Sequence, residues 1–303
     1  MYGGPDSLPW LEDTHLVMGY RSGDSAFAYP INILNLHEIV NDVIDGVPLV
    51  VTYCPLCFSG VVFNRQLSDG SLLTFGNTSA LYQSDMVIYD HQTGSYWFQV
   101  GGEAVVGAMT GTRLDLLPSS TMEWGDWLKL NPETQVLVGM AGDPERFTGR
   151  RYETGLPANY QSQINREQFA FPVDKTRLDT RLTAGEIVVT VETNGGAKAY
   201  PLGLIGDGAV NDSVAGVPVV VVVQENRRAV AVYSPVVDDI TLVFDYLEGR
   251  RAFVDRPTGS VWDMGGVAFE GPLTGVRLKP LNTRRAFWFS IAIAFPGMDV
   301  YIP

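Results

Sequence analysis

Apolar residues in this chain come in short runs broken every few positions by Gly, Asp, Asn or Pro, and few of them keep the spacing of an amphipathic helix. Residues 40–51 (VNDVIDGVPLVV) set Asp45-Gly46 between two β-branched stretches, and a tight hairpin turn needs the positive φ that such a pair tolerates. Residues 210–221 (VNDSVAGVPVVV) repeat the arrangement around Ala215-Gly216. Further short strands are predicted over 72–75, 86–89, 96–100 and 104–106, with Gly or Asp between them. Helix signals are few. One is the stretch 30–37, opened by Pro30. The other is the run Ser119 to Glu123 ahead of Trp124, Trp127 and Leu128, which resembles a capped amphipathic turn. The pattern predicts a mainly β protein with short helices.

The chain also matches itself. Residues 40–51 and 210–221 are identical at eight of twelve positions. AFAYP at 26–30 is echoed by AKAYP at 197–201, TGSYW at 93–97 by TGSVW at 258–262, and TGTRL at 110–114 by TGVRL at 274–278. Trp124 falls opposite Trp288. A unit of about 110 residues used twice is the expectation: two tandem homologous repeats, barrel- or sandwich-like, packed together. Residues 1–137 hold the first repeat with an N-terminal extension, 138–185 a connector rich in Pro, Gly and charge, and 186–303 the second repeat.

Composition narrows the functions. The 21 Lys and Arg against 34 Asp and Glu leave a net charge of −13, which opposes phosphate backbones and anionic lipid surfaces. A nucleic-acid partner is therefore not expected. No window reaches the roughly 18–20 apolar residues of a membrane span, and residues 1–13 lack the basic start and apolar stretch of a secretory signal. The expectation is either a cytoplasmic protein or an already processed chain. Two cysteines in 303 residues cannot staple the fold as a disulfide framework.

Those two, Cys54 and Cys57, are the main chemical candidates. They stand three apart between apolar strand-like runs, which suggests a strand–turn–strand knuckle rather than the strand–helix site of a thioredoxin. A local disulfide, a pair of small buried hydrophobes, and two thiolates offered to a transition metal all fit this pattern. A closed zinc or iron site needs four ligands, so the remainder would come from His37, His91, a carboxylate such as Glu38 or Asp42, or another subunit. At the matching places the second stretch has Gln224 and Arg227, so the scaffold tolerates losing both thiols. A candidate polar pocket comprises Asp42, Tyr82, Ser84, Asp85, Tyr89 and Asp90, most of them in a hydroxyl- and acid-rich segment that the second half lacks. A solvated loop with Tyr82 and Tyr89 as anchors fits that segment as well. Asn77 and Asn211 open glycosylation acceptor patterns.

Residues 37–57 (HEIVNDVIDGVPLVVTYCPLC), 73–90 (LTFGNTSALYQSDMVIYD) and 111–127 (GTRLDLLPSSTMEWGDW) strongly resemble the bacterial and archaeal family called domain of unknown function 3179. The similarity extends over nearly the whole chain. Cys54, Cys57, His37, Tyr82, Ser84, Tyr89 and Asp90 fall on the family's recurrent motifs. The resemblance implies no reaction, and it implies an exported or surface-anchored protein.

Two functional expectations follow. One is an extracytoplasmic, non-enzymatic β-protein that binds a ligand or assembles with copies of itself, as a homo-oligomer or filament, through its strand edges; its 33 aromatic residues offer contact surface. The other is a metal-dependent or thiol-redox protein centred on Cys54, Cys57 and His37.

Overall fold

The computed structural model describes residues 2–139, 159–224 and 229–303. Strand is the commonest element, with five α-helices of at most seven residues among the described residues. No helix among them is long and apolar enough to cross a membrane.

Both expected hairpins form. Val47–Cys54 pairs with Ile39–Ile44 across Asp45 (φ 48°) and Gly46 (φ 81°), and Val217–Gln224 pairs with Gly208–Val214 across Ala215 (φ 49°) and Gly216 (φ 81°). All four turn residues have positive φ, the condition for a two-residue hairpin that follows the strand twist. The near-continuous apolar runs VPLVVTYC and VPVVVVVQ have a common cause. Each strand is interior to a sheet covered on both faces, so Leu49 to Val51 and Val219 to Val221 are all buried and no polar alternation survives.

Two large sheets organise the molecule, and each draws strands from both halves of the chain. In one, the order runs Tyr2–Gly3, Gln135–Leu137, Ser25–Pro30, Leu16–Ser22, Ser120–Glu123, Ala229–Ser234, Val217–Gln224, Gly208–Val214. In the other it runs Asp299–Val300, Gly196–Pro201, Ile187–Thr193, Thr283–Phe287, Ser59–Asn64, Val47–Cys54, Ile39–Ile44. The halves join where Thr121 meets Val230 and where Arg285 meets Gly60. Two four-stranded sheets, Phe75–Tyr82 to Glu103–Val106 and Phe244–Leu247 to Ala268–Glu270, lie beside them.

Three expectations need correction. Among the described residues no sheet closes into a barrel, because the outer strands are engaged sideways instead. Asn41 on Ile39–Ile44 donates to Phe75 O and accepts from Phe75 N, both at 2.8 Å, and Asn211 on Gly208–Val214 does the same with Phe244 at 2.9 and 2.8 Å. The segment Ser120–Glu123 is a strand rather than a helix cap, and Trp124–Leu130 starts after it with no side-chain cap; pairing with Leu16–Ser22 outweighs the capping tendency of its hydroxyls. The strand expected to begin at residue 72 begins at Phe75. Within the expected connector, residues 140–158 lie outside the described residues, as does Arg227. Its remaining part carries the helix Tyr160–Asn165, whose Tyr160 and Ile164 enter the core beside Cys54 and Cys57.

Hydrogen bonds recur in the two halves. Asp90 accepts from Thr93 N, Thr93 Oγ1 and, at 2.9 Å, Trp97 Nε1; Asp255 accepts from Thr258 N, Thr258 Oγ1 and, at 2.8 Å, Trp262 Nε1. Both aspartates and both indoles are buried. Replacing Asp90 or Asp255 by Ala strands a buried indole N–H and a turn amide, so each substitution is expected to cost about 2–3 kcal/mol of unfolding free energy in denaturant titrations. The two costs should agree closely; a large loss for one and none for the other would contradict the equivalence.

Candidate functional site

Cys54 ends the strand Val47–Cys54, and Ser59 opposite it starts Ser59–Asn64, so residues 55–58 form the expected knuckle. Phe58 sits at φ 53°, a conformation that a bulky residue adopts only when its surroundings hold it. Here they do. The ring packs against Phe287, at a centroid distance of 4.7 Å, and Tyr160, at 6.3 Å. Tyr160 donates its hydroxyl to Leu56 O at 2.9 Å, and Phe287 N donates to Cys57 O at 2.8 Å.

A second hairpin brings the third group. Phe75–Tyr82 and Asp85–Asp90 are joined by Gln83 and Ser84, both at positive φ (53° and 61°) without a glycine. Residues after the connector helix hold this tip: Asp174 N donates to Gln83 Oε1 at 2.6 Å, and Arg177 donates to the Tyr82 hydroxyl. The hairpin thereby carries Asp85 into the core against the knuckle.

Cys57 Sγ donates to Asp85 Oδ1 at 2.8 Å and lies 3.1 Å from Ser59 Oγ. Asp85 Oδ1 also accepts from Met86 N at 2.7 Å, and Oδ2 accepts from Ser290 Oγ at 2.7 Å. Ser59 donates to Gln99 Oε1 at 2.6 Å, and Gln99 Nε2 donates to Thr52 Oγ1 at 2.7 Å. The ligand atoms of Cys54, Cys57 and Asp85 all lie within 4.8 Å of one another, and the three residues are at most 1% exposed. Both cysteines are free thiols.

Burial disfavours ionisation of this group. Burial pushes both thiols above the ordinary range, Cys57 the further of the two, and burial pushes the Asp85 carboxyl up as well. Hydrogen bonds from Cys57 and Ser290 pull Asp85 back only in part. The leading influences on the three include no Lys or Arg. The site is thus a pocket of latent negative charge, and no cation stands among the leading influences on its three acids.

The other candidates lie elsewhere or do other work. His37 closes the helix Ile31–His37, and His91 is exposed and stacked on Tyr89 at 4.8 Å; neither joins the thiol–carboxylate group. Asp42 accepts from the hydroxyls of Tyr2 and, at 3.0 Å, Tyr29, as Asp212 does from Tyr200 at 3.0 Å. Asp90 is consumed by Trp97 and Thr93. Tyr82 is exposed, Tyr89 is half-buried, and Ser84 is buried with no partner for its hydroxyl among the described residues. Asn77 is exposed and donates to Glu38, whereas both ends of the Asn211 amide are bonded to Phe244, so a glycan at Asn211 would break a structural pair. Of the expected pocket, Asp85 alone meets the thiols, with Ser84 as its chain neighbour. Sequence reading missed Ser59, Gln99, Tyr160 and Ser290, which support the group; Ser290 is 205 positions from Asp85, and no local pattern marks it.

At the matching corner of the second half, Gln224 is buried and donates to Arg251 O at 2.7 Å. An amide–carbonyl bond fills there the place that the Cys54 thiol takes here.

No curated protein and no solved structure matches the chain. The family described as "Protein of unknown function (DUF3179)" matches residues 5–297, nearly the whole length. By that match the chain belongs to the DUF3179 family.

Proposed function

We propose that this is a non-enzymatic metal-binding β-protein that holds one thiophilic divalent ion, zinc being the reference case, through Cys54, Cys57 and Asp85. The observation that carries the reading is the sealed trio itself: three ionisable acids within 4.8 Å, all buried, with no cation among their leading influences. A metal ion supplies the missing charge and takes up the thiolates and carboxylate on release of their protons. Two sulfurs and one oxygen suit zinc and other borderline ions, and three protein donors leave one position for a small ligand. Burial speaks against thiol–disulfide exchange with a protein partner, because the attacking sulfur would have to be reached.

The scaffold does not need this ion to close its core, since the second half closes the same corner with Gln224. The two halves are read as copies of one unit, supported by the eight-in-twelve match and by the Asp90 and Asp255 staples. An extracytoplasmic setting belongs to this proposal by family resemblance. Self-assembly through strand edges has less support, because Asn41 and Asn211 already engage the two outer hairpin strands.

Titrating reduced, metal-free protein with zinc should give one ion per chain. Ser290→Ala, acting on Asp85 from outside, is expected to weaken binding about 10- to 100-fold, and Cys57→Ser or Asp85→Asn by more, with circular dichroism unchanged. Equal affinity in all variants would contradict the assignment.

The sign of the pH effect follows from the raised thiols. The folded protein keeps protons that the unfolded chain loses, so stability of the metal-free form should fall as pH rises past about 8.5, the ordinary thiol value. Melting temperatures across pH 7–10 check this. The decline should be weaker in the Cys54→Ser, Cys57→Ser double variant, where the raised tyrosines alone remain, and weaker with zinc bound. Asp85 has the same sign at lower pH, so metal-free Asp85→Asn should melt above the parent protein at pH 7.

A further inference from the structure

Away from the thiols, a cavity of about 190 Å³ opens where the two halves meet in the first large sheet. Its apolar wall includes Met122, Trp127, Leu130 and Leu278, and its polar groups include Arg21, Asn131, Asp263 and Arg277. Arg21 donates to Asn131 Oδ1. Burial lowers the Arg21 guanidinium, and the like charge of Arg277 lowers it further, so two cations face one space. On the cavity lining one acid answers them, while exposed Asp24 acts on Arg21 from outside it. Asp263 accepts from Val267 N at 2.9 Å, and burial raises its carboxyl. The lining itself therefore sets two guanidiniums against one carboxyl.

The matching corner of the other large sheet shows what this space holds when it is filled from within. There Arg284 stands opposite Thr190, as Ser120 stands opposite Gly19 beside the cavity. Arg284 is 3% exposed and donates from Nε to Val100 O at 2.8 Å. Its guanidinium lies 4.8 Å from the Phe295 ring centroid, and Nη1 is 2.8 Å from Glu192. Glu192 occupies, two residues beyond Thr190, the place that Arg21 occupies beyond Gly19. One corner therefore carries its own cation against an acid. The other has a serine where that cation stands, and an arginine where the acid stands.

We propose that the cavity is a binding site for a small organic monocarboxylate, its carboxylate held by Arg21 and Arg277 and its apolar body against Trp127 and Leu278. An apolar cavity of about 150 Å³ accepts one benzene ring, so the space suits an acid of a single ring or a short branched chain. Guanidinium forks match carboxylates in geometry as well as in charge. The inference is independent of the metal centre.

Calorimetric titration with benzoate, and with the isosteric neutral benzamide, tests it on the full chain with and without zinc. One benzoate per chain should bind, with benzamide weaker by about tenfold or more. Arg21→Gln and Arg277→Gln should each weaken benzoate by a similar factor. Ser120→Arg should abolish binding by placing in the cavity the group that Arg284 supplies opposite, and Cys57→Ser should leave benzoate affinity unchanged. Arg277 is exposed, so its variant keeps the test open if the Arg21 variant fails to fold. Absence of saturable benzoate binding, equal affinity for benzamide, or indifference to Arg277→Gln would each overturn the proposal.

Discussion

Ionising a thiol or a carboxyl inside an apolar core costs free energy unless a positive charge is brought with it. Cys54, Cys57 and Asp85 meet that condition packed together and shielded from water, with burial raising all three above their ordinary values. Cys57 keeps its proton by sharing it with Asp85, and Asp85 is steadied by Ser290 and Met86. Such a group is a standing cost in the metal-free protein and a ready donor set for a cation. The second half of the chain, which replaces Cys54 by an amide with a carbonyl partner, avoids that cost.

The site exists because the halves share their sheets. Cys54, Cys57 and Ser59 come from a hairpin of the first half that lies next to Thr283–Phe287 of the second, and the helix that follows, Trp288–Ala294, delivers Ser290. Phe287 at that junction bonds the knuckle directly and packs under Phe58. The connector closes the arrangement, with Tyr160 over the knuckle and Asp174 and Arg177 on the hairpin tip that carries Asp85. A protein whose two halves folded as separate bodies would have no means of assembling these groups. The same sharing creates the cavity beside Arg21, where Leu16–Ser22 and Ser120–Glu123 meet Ala229–Ser234.

Much of this was legible in the residues. Asp45-Gly46 and Ala215-Gly216 announced the hairpins and the Cys54–Cys57 spacing announced the knuckle, while the self-matching segments 93–97 and 258–262 hold hydrogen bonds that recur. What escaped was long-range. Which half supplies each neighbouring strand depends on pairings such as Arg285 with Gly60, and these leave no local signal. The partners of the thiols misled for a related reason. His37 and His91 are ligand types by chemistry, but the hairpin geometry that selects the third group lies in Gln83 and Ser84, whose positive φ no composition rule foretells. The acids at 42 and 90 looked alike to Asp85 in sequence. They differ in that each already has hydroxyl or indole donors to satisfy it.

The most direct measurement of the central claim is X-ray absorption at the metal edge of zinc-loaded protein. Two sulfur scatterers near 2.3 Å with the remaining donors oxygen is the result the account predicts, zinc–thiolate bonds being about that long. A first shell without sulfur, or one made of histidine nitrogens, would contradict it.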